Sequence, residues 1–113
     1  MTIQEIAEKM DFTLLAGAGG GDHEVTDCYI GDLLSWVMAK CKAGDLWLTV
    51  MGNVNAVAVA ALTDAAGVVL VEGAALDEAA RLKADQQEIP VYSCPENSWQ
   101  TALKLDRQIF SEG

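Results

Sequence analysis

The 113-residue sequence is poor in several residue types, and each shortage excludes a class of protein. Three cysteines at wide spacings, without a C-x-x-C pair, argue against a disulfide framework or a zinc site within one chain. Two prolines beside 51% apolar residues are typical of a globular protein rather than a disordered one. The apolar runs are shorter than the roughly 18 to 20 residues of a membrane span, and no export signal is evident. We therefore expect a cytoplasmic protein that does not enter a membrane.

Basic residues are scarce as well. Seven lysines and arginines face seventeen aspartates and glutamates, which gives a formal net charge of −10 at pH 7. Such a surface repels a phosphate backbone, so neither nucleic acid nor an anionic membrane is expected as a partner. The same charge suits steering towards a basic protein partner.

The sequence contains no recognisable catalytic constellation. His23 is the single histidine and lies in a glycine-rich connection, where it is expected to be an exposed, ordinary side chain. Ser35 and Ser93 belong to no nucleophile motif. We therefore expect a protein without enzyme activity, cofactor or bound metal, whose three cysteines are free thiols.

Hydrophobic periodicity predicts strands that alternate with helices along the whole chain. Short β-branched runs alternate with segments of helical period, which is typical of a parallel α/β sheet. The prediction is one domain over residues 1–113, folded as a three-layer α/β/α sandwich with a mostly parallel sheet of about five strands. Strands are expected over residues 12–16, 25–30, 46–50, 67–73 and 89–94, and helices over 3–10, 32–44, 54–65, 76–88 and 95–110.

Individual side chains carry further expectations. Thr2 and Glu5 have capping-box spacing at the first helix, and Asp32 is expected to cap the second. The second helix should bury Leu34, Val37, Met38 and Cys41, the fourth Leu76, Ala80 and Ala84, and the last helix offers Trp99, Ala102, Leu103, Ile109 and Phe110 to the core. Trp36, Trp47 and Trp99 are interpreted as core or interface anchors.

The alanine-rich segment 54–65 lacks a charged face. A helix of this kind is expected to be buried by the sheet on one side and by another surface on the other. Self-association through this helix or a neighbouring surface is the simplest way to cover it. We therefore predict a homodimer.

The run AGAGGGDH, residues 16–23, raises the question of a phosphate site. The dinucleotide pattern G-x-G-x-x-G fits Gly17 and Gly19 but has Asp22 at its third position. No lysine lies between Lys9 and Lys40, which excludes a Walker A motif. The run also leads into a strand, whereas phosphates bind at helix N-termini. A flexible surface connection is the favoured interpretation.

The turns that follow the parallel strands are better candidates for a ligand site. In an open parallel sheet, ligands bind beyond the carboxyl ends of the strands. Four such turns are IGD, MGNVN, EGAALD and SCPEN, at residues 30–32, 51–55, 72–77 and 93–97. Helix capping is the structural alternative for Asp32, Asn53, Asp77 and Ser93. The candidate ligand-binding residues are Thr26, Gly31, Asp32, Gly52, Asn53, Asn55, Glu72, Gly73 and Ser93.

The segment VTDCYIGDLLSWVMAKCKAGDLWLTVMGNVNAVAVAAL, residues 25–62, resembles the DRTGG domain family, and the similarity continues to the last helix. Its most specific parts are GDLLSWVM and LTVMGNVNAVAVA. The motif that names the family falls on residues 24–28, where Thr26 is retained and Asp27 and Cys28 replace two glycines.

The resemblance implies a fold similar to the N-terminal domain of HPr kinase/phosphorylase. Family members are often regulatory modules, beside CBS domains in some inorganic pyrophosphatases or ahead of the catalytic part of some phosphotransacetylases. Free-standing copies look like those encoded near iron-only hydrogenase genes. A kinase activity would require a P-loop, which this chain lacks.

Two hypotheses follow. The first is a non-catalytic regulatory domain that self-associates and takes a small metabolite or a nucleotide at the strand ends. The second is an acidic accessory protein that docks onto a redox enzyme such as an iron-only hydrogenase. A variant of the second has two chains sharing an iron–sulfur cluster through Cys28 or Cys94.

Overall fold

The computed structural model describes residues 1–111, in which helices and strands alternate as the sequence predicts. Among these residues the helices are α1 (Ile3–Met10), α2 (Leu34–Lys40), α3 (Val54–Thr63), α4 (Glu78–Gln87) and α5 (Ser98–Leu105). The strands are β1 (Thr13–Ala16), β2 (Asp27–Ile30), β3 (Asp45–Thr49), β4 (Gly67–Leu70) and β5 (Val91–Ser93). A 3₁₀ turn covers Ala18–Gly20, and a π-helical turn over Asp106–Phe110 extends α5.

The five strands form one sheet in the order β1-β5-β4-β3-β2. Strands β2 to β5 pair in parallel, whereas β1 pairs with β5 in the antiparallel direction. One hydrophobic cluster joins the sheet to α2, α3 and α4, and a second joins its other face to α1 and α5. The predicted three-layer α/β/α sandwich with a mostly parallel five-stranded sheet is confirmed.

The central strands are covered on both faces. Every residue of β3 and β4 is buried, including Trp47, whose Nε1 donates a 2.9 Å hydrogen bond to the Gly31 carbonyl. Continuous apolar strands of this kind are typical of parallel sheets with helices on both faces. The expectation for β3 is confirmed, and Trp47 is the tryptophan that anchors the core.

Helix α1 begins as predicted. The Thr2 side chain accepts a hydrogen bond from the Glu5 amide, and the Glu5 carboxylate accepts one from the Thr2 amide. These two bonds satisfy backbone donors that would otherwise have no partner in the first turn. The hydrogen bond from the Thr2 amide, followed by the Thr2 side chain, lowers the pKa of Glu5.

Within the chain, helix α3 is covered on one side, as expected, and its outer side is exposed. It lies between α2 and α4 and buries Ala56, Val57 and Ala60, but Val54 and Leu62 are exposed. Helices α2 and α4 cover the flanks of α3. Because its outer face has no charged residues, the side chains in contact with solvent there are apolar.

Several predicted core residues lie at the surface instead. Met38 on α2 is exposed, and so are Phe110 and Trp99, whose side chain is 71% exposed. On α5, Thr101 and Leu105 are the buried residues. On α2 the predicted inward face is confirmed for Val37 and Cys41, and Leu34 packs against the same core, so only Met38 departs from it. On α5 the face that meets the sheet is turned relative to the prediction. The inner stripe of α4 is confirmed, since Ala80 and Ala84 are buried and Leu76 packs against the same cluster.

The glycine run is not a flexible surface connection, and that interpretation was wrong. Gly20 and Gly21 are buried, and the Gly17 amide donates a 2.7 Å hydrogen bond to Asp85 Oδ1. A Cβ atom at Gly17 would collide with the Ile89 carbonyl, and one at Gly20 with the Glu88 carbonyl. The glycines are needed because the chain passes directly against the backbone that enters β5.

Within residues 1–111, none of the helices has the length and apolar character that crossing a membrane requires.

Candidate functional site

The four turns that follow the parallel strands meet at one edge of the sheet, which we call the strand-end rim (residues 30–32, 51–55, 72–77 and 93–97). Hydrogen bonds join neighbouring turns directly. The Asp77 amide donates to the Gly52 carbonyl at 2.8 Å, and the Gly73 amide donates to the Cys94 carbonyl at 2.9 Å. The first and second turns are linked through Asp32. The expectation that these turns share one rim is confirmed.

Asp32 links two strands and does not cap α2, as the sequence had suggested. Leu33 occupies the N-cap position, and no side chain caps that helix. Asp32 Oδ1 instead accepts hydrogen bonds from the Thr49 hydroxyl at 2.7 Å and the Val50 amide at 3.0 Å. The Thr49 hydroxyl in turn accepts a bond from the Met51 amide at 3.2 Å. The carboxylate therefore fixes the end of β3 against the end of β2.

The second turn is shaped by a cap and by a close backbone approach. Asn53 caps α3 as predicted, with Oδ1 accepting a 2.9 Å bond from the Ala56 amide. A Cβ atom at Gly52 would collide with the Ala75 carbonyl, which explains the glycine. Asn55 lies exposed in the first turn of α3. Gly52 and Asn53 thus have structural roles, whereas the Asn55 side chain faces solvent.

The third turn opens to solvent. Glu72 and Gly73 both have left-handed backbone angles, with φ of 58° and 65°. The Glu72 amide donates to the Glu96 carbonyl at 2.8 Å, while the Glu72 side chain is exposed. A Cβ atom at Gly73 would meet no atom within 4 Å. Ser93, at the end of β5, is half-buried beside this turn.

Thr26 does not belong to the rim. It immediately precedes β2, and its amide donates a 2.9 Å hydrogen bond to the carbonyl of Gly44, which precedes β3. Both residues therefore lie where parallel strands begin, at the opposite edge of the sheet from the rim. The structure brings the other eight predicted site residues to the rim and separates Thr26 from them, because a strand places its two ends on opposite edges.

The rim is negatively charged. Its four turns contain Asp32, Glu72, Asp77 and Glu96 but no lysine or arginine. Lys104 reaches the rim from α5 and pairs with the Glu96 carboxylate at 2.8 Å. A phosphate group placed here would meet carboxylates rather than cations.

Exposed apolar side chains border the rim on the side of β2. We call them the apolar rim surface, which comprises Ile30, Leu33, Trp36, Val50 and Val54. Leu33 and Trp36 are 60% and 62% exposed, and the Trp36 amide donates to the Leu33 carbonyl one turn earlier. Sequence reasoning placed the apolar surface on α3. It missed Leu33 because that position read as part of a helix whose apolar face would be buried.

The reactive side chains lie apart from one another. His23 is half-buried, and its Nδ1 lies 3.1 Å from the Ala66 carbonyl near the amino ends of the strands. Cys28 is half-buried, and Cys41 and Cys94 are buried. Burial, followed by the charges of Asp27 and Asp45, raises the pKa of Cys28 to about 12. In the part of the chain that the structure describes, no three His, Cys, Asp or Glu residues form a metal-binding cluster.

Comparison with solved structures identifies a related fold. The CBS and DRTGG domains of the regulatory region of Clostridium perfringens pyrophosphatase, complexed with the activator diadenosine tetraphosphate, superimpose with a TM-score of 0.64 at 10% identity. The match covers 90% of this chain and 44% of that one, so this chain spans less than half the length of its structural relative. No curated protein sequence matches.

Comparison with family models gives a more specific result. The model of the DRTGG domain matches residues 5–108. This range includes all five strands and all five helices except the first two residues of α1, and it stops two residues before the end of the π-helical turn. This chain belongs to the DRTGG domain family.

Proposed function

We propose that this chain is a non-catalytic regulatory domain that pairs with a second copy through the apolar rim surface and takes a small-molecule effector at the strand-end rim. The exposure of Leu33 and Trp36 carries the proposal. Clustered apolar exposure beside a polar rim is typical of a protein interface. Tryptophan is also among the residues that contribute most to binding energy in such interfaces.

The family supports a regulatory role. The related solved structure is described as the regulatory region of a pyrophosphatase with a bound nucleotide activator. In this chain the reactive side chains are separated and the strongest polar network, around Asp32, holds two strands together. A regulatory domain of this kind passes the effect of ligand binding to its partner through its surface.

The rim supports a ligand that presents hydrogen-bond donors. Asn55 and Glu72 are exposed at the rim and Ser93 is half-buried there, and their side chains form no hydrogen bond within residues 1–111. An amide, a carboxylate and a hydroxyl together suit hydroxyl or amino groups, such as those of a ribose or a nucleobase. Because the rim turns lack basic residues, the nucleoside part rather than the phosphates would provide recognition.

Sedimentation equilibrium tests the self-association. We expect a dimer in the wild type and a monomer in Trp36→Glu, because the substitution places a charge in the apolar contact. Trp99→Glu is the matched control, since Trp99 is at least as exposed as Trp36 but lies on α5 in the opposite layer, and this variant should remain dimeric. A monomeric wild type at tens of micromolar, or loss of the dimer in the control alone, would contradict the proposal.

Thermal denaturation with adenosine, ATP and diadenosine tetraphosphate tests the effector. A ligand at 100 times its Kd stabilises the folded state by roughly 2.7 kcal/mol, which is readily detected as a rise in Tm. We expect adenosine to stabilise the protein at least as well as ATP and Glu72→Gln to reduce the effect. An unchanged Tm with all three compounds would refute the nucleoside part of the proposal.

A further inference from the structure

A groove of about 500 Å³ opens on the α1 face of the sheet, away from the strand-end rim. Its walls come from α1, from the start of β1, from the glycine run and from β5. None of the residues that line it belongs to the four rim turns. The groove is therefore a separate feature from the site described above.

Tyr92 is the central polar group of this groove. Its side chain is buried to all but 5%, yet its hydroxyl has no hydrogen-bond partner among residues 1–111. In this part of the chain every fully buried side-chain nitrogen or oxygen has a partner. The Tyr92 hydroxyl must therefore be accessible to solvent, and Tyr92 contacts solvent in the groove that it lines. An almost fully buried phenol that presents an unpaired hydroxyl to a cavity is a preformed hydrogen-bonding position.

The opening of the groove is acidic. Glu8 and Asp11 line it from α1 and its C-cap, and Gln4 adds an amide, whereas no lysine or arginine contributes to the lining. Burial, followed by the negative charge of Glu8, raises the pKa of Tyr92. The phenol is therefore neutral at physiological pH and can both donate and accept a hydrogen bond.

The remaining wall is apolar. Ala7, Phe12 and Leu14 line it, and the Phe12 ring lies 6.5 Å from the ring of Tyr92 at a tilt of 44°. The half-buried Phe12 ring, backed by Tyr92, and the exposed Leu14 offer an apolar surface for a ring or an alkyl chain. Apolar walls with a few polar groups are typical of small-molecule sites.

We propose that this groove binds a small organic cation with an aromatic or alkyl body. Its ammonium group faces Glu8 and Asp11, the Tyr92 hydroxyl accepts one of its hydrogen bonds, and its body lies against Phe12 and Leu14. The two carboxylates favour a cation and oppose an anion of the same shape.

The glycine run contributes one wall of this site. Gly21 lines the groove, and a Cβ atom there would approach Gln4 Oε1 to 2.9 Å. The Gln4 backbone N–H also donates a 3.1 Å hydrogen bond to the Gly21 carbonyl. The glycines that resemble a phosphate loop therefore border a site with the opposite charge preference.

Three probes with the same body test the charge preference: phenethylamine, 2-phenylethanol and phenylacetate. Titrations followed by the backbone amide NMR signals should show saturable shifts at Ala7, Phe12 and Gly21 with phenethylamine at millimolar concentrations. We expect 2-phenylethanol to bind at least about threefold more weakly and phenylacetate not to bind. Equal binding of all three, shifts confined to the rim turns, or no saturable shift up to about 10 mM would overturn the proposal.

Two variants separate the contributions of the groove. Glu8→Gln should weaken phenethylamine binding about threefold to tenfold and leave 2-phenylethanol unchanged. Tyr92→Phe keeps the ring and should weaken both compounds. Glu78→Gln, the same charge change at an exposed site on α4 in the opposite layer, is the control and should bind like the wild type. Because none of these residues lies in the apolar rim surface, sedimentation of the variants shows whether self-association is independent of this site.

Discussion

Asp32 and Thr49 are joined by a 2.7 Å hydrogen bond that connects the turn after β2 to the end of β3. Thr49 is 1% exposed, so its hydroxyl depends on this carboxylate as its acceptor. The same oxygen of Asp32 also accepts the Val50 amide. The Asp32 side chain thus fixes the relative position of two rim turns and plays no part in capping α2, the helix that follows it.

We expect Asp32→Ala to destabilise the fold by about 1 to 3 kcal/mol, because it leaves a buried hydroxyl without its acceptor. Asp32→Asn retains an acceptor oxygen and should lose less. Urea denaturation of Asp32→Ala, Thr49→Val and the double variant gives the coupling energy between the two positions. If Asp32 only capped the helix, the losses in free energy of unfolding of the two single variants would add up to that of the double variant. The hydrogen bond predicts that the double variant loses less than this sum.

Gly17 and Gly73 both have left-handed backbone angles, but only Gly17 lies against other atoms. Substituting each glycine by alanine therefore separates the cost of the backbone angle from the cost of a steric clash. At Gly73, φ is 65° and the space around a Cβ atom is open, so Gly73→Ala should cost about 1 kcal/mol for the backbone angle alone. At Gly17, φ is 75° and the Cβ atom would collide with the Ile89 carbonyl. Gly17→Ala should therefore cost more than about 3 kcal/mol, or prevent folding. Equal free energies of unfolding for the two variants would show that residues 17–21 do not pack as described.

Cys28 should be unreactive in the folded protein. Burial is the main cause that raises the pKa of its thiol to about 12, and alkylation requires the thiolate. Iodoacetamide at about pH 8 should modify native Cys28 roughly a thousandfold more slowly than the urea-unfolded chain. Quenched time courses analysed by mass spectrometry measure both rates. Rapid modification of the native protein would indicate an accessible thiolate. It would favour the hypothesis that two chains share an iron–sulfur cluster through Cys28.

The ion pair between Asp27 and Lys42 should make stability depend on pH. Hydrogen bonds from the Cys28 amide and from Lys42 lower the pKa of Asp27, so its contribution is present above the unfolded-state value near 4 and is lost as pH falls through the folded-state pKa. The pKa of Lys42 is raised, chiefly by Asp27, and its contribution is lost only in strongly alkaline solution. Asp27→Asn should therefore be less stable than the wild type at neutral pH, and the difference should shrink on acidification. Urea denaturation between about pH 7 and pH 3 measures this difference, and a gap that widens on acidification would contradict the assignment.

Most of the fold was predictable because local patterns and global packing agree. The buried strand β3, the capping box at Thr2 and the Asn53 cap each follow from residue type and spacing. The exact set of residues that a helix turns towards the sheet did not follow, since Met38 on α2 and Trp99 on α5 satisfy a helical period but lie outside the core. Which stripe meets the sheet depends on neighbours that are distant in sequence.

The position of the rim was also predictable, because parallel strands place their carboxyl ends at one edge. The roles of the rim side chains were harder to predict. Asp32 precedes a helix in sequence, but its carboxylate accepts hydrogen bonds from the end of β3 and does not cap α2. Thr26 was assigned to the site through its family motif, and the start of β2 places it at the far edge. The groove around Tyr92 was not predicted, because Tyr92 is distant in sequence from the other lining residues, all of which lie within residues 4–21.

Native mass spectrometry of the purified protein tests the central claim most directly, because it reports subunit number and bound small molecules together. The account predicts the mass of two chains for the wild type and for Trp99→Glu, an additional small-molecule mass after incubation with adenosine, and a single chain for Trp36→Glu. A single chain in every sample at tens of micromolar, with no added mass, would contradict it.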